Sequence, residues 1–204
     1  MKILTAEQMR EVDRLTTERY AIPSLLLMEN AAARSAEAIE REFAPVANLR
    51  VKVLCGKGNN GGDGAAVARQ LWLRGAAVEV VLLGTVDATG GDARVNFEAA
   101  RALAGSGAMA FREVETVDGL WEEIATGEPD LYVDAVFGTG LARPATGLHS
   151  EAIELMNARQ SARLVALDLP SGLPSDTPEP AGPHVRADLT VTFTAPKAAC
   201  ALPP

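Results

Sequence analysis

The sequence is poor in cysteine, histidine and basic residues, and it lacks a long apolar run. Its two cysteines, Cys55 and Cys200, lie far apart and match no metal-binding spacing, which favours reduced thiols in a cytoplasmic protein. Only 19 Lys and Arg face 27 Asp and Glu, and this net charge of −8 argues against a nucleic acid or an anionic membrane as partner. No segment is long enough to span a bilayer, and the N-terminus lacks the apolar core of a signal peptide. The two histidines, His149 and His184, belong to no motif, so we expect surface or capping roles for them.

Short aliphatic runs alternate with helix-sized segments along most of the chain. Runs that are apolar at every position are typical of strands in a parallel sheet covered on both faces, joined by right-handed crossovers. The sequence therefore predicts an α/β fold with a mostly parallel central sheet. The predicted strands are 51–54, 78–83, 109–111, 131–133, 164–167 and 189–193, and the predicted crossover helices include 65–74, 92–103 and 147–158.

Two helices are predicted before the first strand. Thr5 and Gln8 form a capping-box pattern for a helix that continues to about Tyr20. Pro23 suits the first turn of a second helix that ends near Phe43. Its apolar stripe is predicted to comprise residues 26, 27, 30, 31, 38 and 39, with an inward Asn30 that lines the site or braces the glycine-rich segment described next. We expect residues 1–204 to form one domain, with 169–184 as a loop, because too few residues follow for a second domain.

The segment CGKGNNGGDG, residues 55–64, holds five glycines, two asparagines and an aspartate. Glycine permits close approach of a ligand to the backbone, and the Asn and Asp side chains offer short polar groups. The amides of residues 60–64 would form an anion site at the start of the following helix, suited to a phosphate or pyrophosphate. The alternative is an ordinary glycine-rich turn between a strand and a helix.

Polar motifs also follow the fourth and fifth predicted strands, at 133–147 and 166–173. The carboxyl ends of parallel strands share one edge of a sheet, so Asp63, Asp134 and Asp168 are expected to converge there. Asp168 is the candidate general acid and base, although its carboxylate could instead only cap the turn at Ser171 and Gly172.

Two further features of these loops leave alternatives open. Asn60, Asp134 and Ser171 offer only oxygen ligands, which suits a monovalent cation; the alternative is a hydrogen-bond network between loops. In the 133–147 loop, Arg143 either supplies positive charge to the ligand or lies on the surface.

These motifs, with LLLMENAA upstream and TVTFTAPKA near the end, resemble the NAD(P)H-hydrate epimerases, the YjeF N-terminal domain family. The resemblance implies a Rossmann-like three-layer α/β/α sandwich that interconverts the R and S forms of hydrated NADH and NADPH. It also implies a homodimer with one K⁺ ion per subunit, held by Asn60, Asp134 and Ser171. The residues implied to contact the hydrate are Asn59, Asn60, Gly61, Gly62, Asp63, Gly138, Thr139, Gly140, Leu141, Ala142, Arg143, Pro144 and Asp168.

The sequence departs from the family pattern in three places. Ala32 and Ala198 stand where the family usually has glycine, and the chain ends at ALPP, before a further apolar strand that members usually contain. Many bacterial members also carry a fused, kinase-like dehydratase domain that uses ADP or ATP. The resemblance therefore implies either a longer natural protein or a partner chain beside residues 189–193, and a dehydratase that is fused or separate.

Two rival functions share this fold. One is a non-catalytic nucleotide-binding or scaffold module, which would have no chemical need for NNGGD together with Asp168. The other is an NAD-dependent dehydrogenase, but the second predicted strand ends in Gly84 and Thr85 rather than in an acidic residue that could hold a ribose.

Overall fold

The computed structural model describes residues 2–43, 45–124, 127–141 and 143–202. All six predicted strands are present, with bounds that differ from the prediction by up to three residues. They form one sheet in the order β3-β2-β1-β4-β5-β6, in which every paired strand is parallel. The strands are β1 Arg50–Cys55, β2 Ala77–Leu83, β3 Ala110–Val114, β4 Leu131–Ala135, β5 Arg163–Leu167 and β6 Leu189–Val191.

Helices cover both faces of this sheet, as the sequence predicted. They are α1 Ala6–Tyr20, α2 Ser24–Phe43, α3 Asn59–Leu73, α4 Gly91–Gly105, α5 Val117–Ile124, α6 Leu148–Asn157 and α7 Ala198–Ala201, with a short 3₁₀ helix at Val86–Ala88. The sequence placed Trp121 in a helical segment, which α5 confirms, but it did not predict α7 or the 3₁₀ helix. Within the described segments, none of these helices is both long and apolar enough to cross a membrane.

The core is divided by the sheet into two clusters. Val53 and Cys55 of β1 pack with residues of α2, α3 and α4. Leu54, which points to the other face, packs with residues of α5 and α6. Successive strand residues thus enter opposite clusters, which is why the strand sequences are apolar at nearly every position.

The predicted apolar stripe of α2 is only partly confirmed, because Ile39 is buried but most of the other predicted residues are not. The buried residues of α2 are Met28, Ala32, Ser35, Ala36 and Ile39, whereas Leu26 is 58% exposed and Asn30 is also exposed. Ala32 and Ala36 have no exposed surface, because α2 packs closely against α3. Asn30 therefore does not point inward.

The start of α3 is the second correction, because Asn59 to Gly64 form its first turns instead of a loop. A Cβ at Gly61 would lie 1.7 Å from the carbonyl oxygen of Gly56, and one at Gly62 would lie 2.6 Å from Cα of Ala93. These glycines let α3 approach β1 and α4 closely. This packing outweighs the low helix propensity of glycine, from which a loop was predicted.

Candidate functional site

A crevice of about 600 Å³ opens at the carboxyl ends of β1, β4 and β5. The strand order reverses between β1 and β4, because the chain proceeds outward from β1 to β2 and β3 before it returns to β4. In open α/β sheets this reversal leaves a gap between the connections, where ligands bind. The topology thus places the crevice where the converging motifs were expected.

Many of the predicted substrate-binding residues line this crevice. They are Asn59, Asn60, Asp63, Gly138, Thr139, Gly140, Leu141 and Asp168. Gly61 and Gly62 are instead buried inside α3, and Arg143 and Pro144 are exposed residues outside the lining. Ala142 lies outside the described residues.

The amides at the start of α3 differ from those predicted for an anion. The N–H of Gly62 donates to the carbonyl oxygen of Gly58 at 3.1 Å, which begins the internal hydrogen bonding of the helix. The amides that precede this bond belong to Asn59, Asn60 and Gly61, and they form the positive end of the helix dipole. An anion site would therefore use residues 59–61 instead of 60–64.

Asp168 has both carboxylate oxygens engaged. Oδ1 accepts hydrogen bonds from Nζ of Lys197 and, at 3.4 Å, from the amide of Phe193. Oδ2 accepts one from the amide of Thr139 at 3.3 Å. The residue is 8% exposed and adopts φ +65°, a left-handed conformation that is uncommon outside glycine. These contacts fix the carboxylate at the wall of the crevice.

Asp134 and Ser171 form a buried pair. The amide of Ser171 donates to Oδ2 of Asp134 at 2.8 Å, and the Ser171 hydroxyl donates to Oδ1 at 2.5 Å. Asp134 has no exposed surface, and burial raises its pKa to about 6 although these hydrogen bonds and the amide of Val136 oppose the shift. The ionised carboxylate is therefore only partly compensated by its neighbours.

Asn60 offers an additional oxygen near the same loops. Its side-chain oxygen and nitrogen are buried and have no hydrogen-bond partner among the described residues. The Cβ and Cγ of Asn60 lie 3.4 Å from the place where a Cβ on Gly138 would stand. A buried amide without partners and an under-compensated carboxylate fit a hard, weakly charged cation such as K⁺, which prefers oxygen ligands.

Asp63 adds another carboxyl to the crevice. It is 9% exposed, and no hydrogen bond or ion pair joins it to a described residue. Burial raises its pKa well above the usual value, and the charges of Asp168 and Asp13 raise it further. A carboxyl of this kind is suited to donate a hydrogen bond to a ligand.

Helix α1 and Lys57 also contribute to the crevice, although neither was predicted to do so. Helix α1 supplies Met9, Arg10 and Asp13, and burial and the charge of Asp168 raise the pKa of Asp13 while Lys197 opposes the shift. Met9 and Asp13 are four residues apart on a predicted helix and therefore share one of its faces, which was the sequence signal for their role. The sequence did not show, however, which strand ends this helix covers. Lys57, which lies within the glycine-rich segment 55–64, also lines the crevice, although only its neighbours were predicted to bind a ligand.

His149 is half-buried in the first turn of α6, but it also contributes to the crevice, a role that was not predicted. His149 lines the crevice and stacks on Phe137, with ring centroids 5.0 Å apart and an interplanar angle of 28°. Burial and the nearby charge of Lys57 lower its pKa. His149 thus presents a half-buried aromatic ring to the crevice.

Lys197 was not predicted either; it is fully buried and donates to Asp168. Lys197 is the lysine of the TVTFTAPKA segment near the C-terminus, and this motif was the sequence signal that could have identified it as a functional residue. Its partner could not be inferred, because 29 residues separate it from Asp168.

The strand order and the polar crevice at its reversal define a Rossmann-type α/β protein with a candidate ligand site at this reversal. The family model described as "YjeF-related protein N-terminus" matches residues 24–199. The chain therefore belongs to this family, and helix α1 precedes the matched range.

Relatives with assigned activities support the same grouping. The chain is 46% identical to the bifunctional NAD(P)H-hydrate repair enzyme Nnr of Moorella thermoacetica over 97% of this chain and 37% of that protein. It is 39% identical to the NAD(P)H-hydrate epimerase of Rhodopirellula baltica over 95% of this chain and 75% of that protein. The chain thus spans just over a third of the bifunctional relative. The crystal structure of yeast ynu0 shares the fold, with a TM-score of 0.81 and 23% identity over 100% of this chain and 85% of that one.

Proposed function

We propose that this chain is an NAD(P)H-hydrate epimerase that interconverts the R and S forms of hydrated NADH and NADPH. The observation that carries the proposal is the Asp168 carboxylate, held by Lys197, Thr139 and Phe193 at the wall of the crevice. The names of relatives that align with nearly the whole chain indicate the substrate class.

The chemistry requires one proton to be given and one to be taken. The hydrate carries a hydroxyl on a carbon bonded to the ring nitrogen. When the nitrogen lone pair forms a double bond to that carbon, the C–O bond breaks and the hydroxyl leaves as water with a proton from the protonated form of Asp168. Water then adds to the opposite face of the same carbon and returns the proton to the Asp168 carboxylate. The substrate is regenerated with the opposite configuration, and no oxidant or reductant is consumed.

The remaining crevice residues would bind the dinucleotide. Asn59, Asn60, Asp63, Asp168 and the 138–141 segment are proposed to contact the hydrate, and the amides of residues 59–61 are proposed to face its phosphates. Arg143 and Pro144 are exposed and would be able to contact an extended ligand. Gly61 and Gly62 would contribute mainly by allowing the close packing of the helix.

We also propose that Asn60, Asp134 and Ser171 hold one K⁺ ion per subunit. The ion would supply a fixed positive charge beneath the crevice. The unpartnered amide of Asn60 and the buried carboxylate of Asp134 support this assignment.

Two partner assignments also belong to the proposal. The bifunctional relatives suggest a nucleotide-dependent dehydratase that is fused to this domain or acts separately. A homodimer and a cytoplasmic location stay predictions.

The decisive experiment follows the exchange of separated R and S hydrate epimers in the presence of K⁺. The wild-type protein is expected to exchange them, and Asp168→Asn is expected to lower kcat by about 10²–10⁴-fold with little change in KM, because the proton transfer is lost while the shape is retained. Asp118→Asn, at an exposed position on α5 outside the crevice, is the matched control.

Each alternative gives a different result. Full activity of Asp168→Asn would show that another group carries the proton. A wild-type protein that binds the hydrates without exchanging them would instead be a non-catalytic nucleotide-binding or scaffold module, and hydride transfer would identify a dehydrogenase.

A further inference from the structure

Lys197 is a buried ammonium group with three hydrogen-bond acceptors. Its Nζ donates to Oδ1 of Asp168, to Oγ1 of Thr192 at 2.9 Å and to the carbonyl oxygen of Phe193 at 2.8 Å. The side chain has no exposed surface. Because an ammonium has three protons, these acceptors satisfy it completely, as a charge buried this deeply requires.

The group does not itself reach the crevice. Residues 193 and 194 line the crevice and Lys197 does not. A substrate in the crevice would therefore meet Asp168 and the 193–194 wall, with the ammonium behind them. Any effect of Lys197 on the reaction has to pass through Asp168 or through this wall.

The segment that Lys197 holds is strained. Thr194 adopts φ +59° and Asp168 adopts φ +65°, and a left-handed backbone at a β-branched residue such as Thr is rare. The amide of Ala195 donates to the carbonyl oxygen of Phe193, which also accepts from Lys197. Conformations of this kind persist only where surrounding contacts enforce them.

The connection after β6 is joined to Asp168 at several further points. The amide of Asp168 donates to the carbonyl oxygen of Val191 at 2.8 Å, and the amide of Phe193 donates to its carboxylate. Lys197 closes this arrangement because it bonds the carboxylate, the Thr192 side chain and the Phe193 backbone at once. Removing it would free the carboxylate to rotate and would release the wall of the crevice.

On the basis of the proposed function, we infer that Lys197 is a positioning residue for the reaction of Asp168. It fixes the direction of the Asp168 carboxylate and the conformation of the 193–194 wall against the substrate. Small displacements of a reacting group lower the rate more than they lower ground-state binding, since the transition state requires tighter alignment.

The first test compares Lys197→Met with Lys52→Met. Lys52 is the matched control because it is also buried, at 5% exposure, but it pairs with Glu79 and donates to the carbonyl oxygen of Glu123 away from the crevice. Lys197→Met is expected to lower kcat for epimer exchange by about 100-fold while KM changes by less than about threefold. Lys52→Met is expected to keep kcat near the wild-type value even where it lowers the melting temperature. If Lys197→Met is too unstable to assay, Lys197→Gln, which keeps a donor, takes its place.

The second test needs no activity and uses the melting temperatures of Asp168→Asn, Lys197→Met and the double variant. Each single change leaves a buried polar or charged partner uncompensated, so the double variant is expected to lose less than the sum of the two single losses. Additive losses, or a Lys197→Met protein with wild-type kcat, would overturn the inference. Absence of exchange in the wild-type protein would overturn the proposed function and the catalytic part of this inference together, whereas a wild-type enzyme with additive melting shifts would overturn the inference alone.

Discussion

Asp168 combines a left-handed backbone with a carboxylate anchored on both oxygens. A non-glycine residue in such a conformation costs on the order of 1–3 kcal/mol, so the surrounding contacts have to offset that amount. A cap for the turn at Ser171 would need only one of these oxygens, and neither accepts from Ser171, whose amide and hydroxyl bond Asp134. The alternative role considered for Asp168 therefore belongs to Asp134.

Gly61 allows a direct test of why the glycine-rich segment is glycine-rich. Gly61→Ala is expected to destabilise the protein by about 3 kcal/mol or more, because the new Cβ would stand 1.7 Å from a backbone oxygen that cannot move cheaply. Gly105→Ala, at the open end of α4, is the control and is expected to stabilise by about 0.5–1 kcal/mol. Urea unfolding measures both; equal effects would show that packing does not require glycine at residue 61.

The Asp134 carboxyl predicts a dependence of stability on pH when no cation is bound. Its pKa is raised from 3.8 to about 6 by burial, so the folded state binds more protons than the unfolded state between these values. The free energy of unfolding is therefore expected to fall as pH rises from about 4 to about 6, by at most about 3 kcal/mol, and then to level off. Asp134→Asn is expected to lack this decline when both proteins are unfolded in tetramethylammonium buffer.

Potassium should oppose this loss, because it binds the ionised carboxylate. At equal ionic strength, replacing tetramethylammonium by K⁺ is expected to raise the melting temperature more at pH 8 than at pH 5, and not in Asp134→Asn. The same gain at both pH values would contradict a potassium site at Asp134.

At the scale of the elements, α1 is attached by few contacts. Met9 is the buried residue of this helix, and its N-terminus is fixed by the Thr5–Gln8 capping box and by a hydrogen bond from the amide of Ala6 to Asp176 at 2.8 Å. Although α1 precedes the range that the family model matches, it forms one wall of the crevice. The ends of this helix therefore control how well that wall is formed.

Thr5→Ala removes the capping side chain and is expected to destabilise α1 by about 1 kcal/mol. Hydrogen exchange should accelerate at the amides of the first turn, beginning with Gln8, whose N–H loses the Thr5 hydroxyl. Thr17→Ala, inside the helix, is the control and is expected to leave these amides protected. Unchanged exchange at Gln8 in Thr5→Ala would show that the bond to Asp176 suffices.

Elements with a strong local signal could be predicted from the sequence. Six strands and the capping box of α1 follow from local patterns, and the structure confirms them. The start of α3 and the buried face of α2 could not be predicted. At the start of α3, close contacts with Gly56 and Ala93 outweigh the low helix propensity of glycine. In α2, packing against α3 decides which residues are buried.

At the scale of the whole molecule, a parallel sheet was enough to bring Asp63 and Asp168 to one crevice, with Asp134 buried beside it. The contributions of Asp13, His149 and Lys197 come from segments before, between and after the main motifs. Their positions depend on how those segments fold back over the sheet, and no local pattern encodes this.

The end of β2 separates this protein from oxidoreductases of similar topology. An acidic side chain usually stands there to hold the ribose of a dinucleotide. Here Gly84 has φ +137°, and a Cβ on it would lie 2.7 Å from Cδ of Lys57, so the methylene stem of a lysine occupies that space. Under the proposed chemistry, a nicotinamide dinucleotide would therefore lack the ribose contact that a reusable coenzyme receives at this position. This suits a damaged dinucleotide that binds as a substrate, is converted and is released.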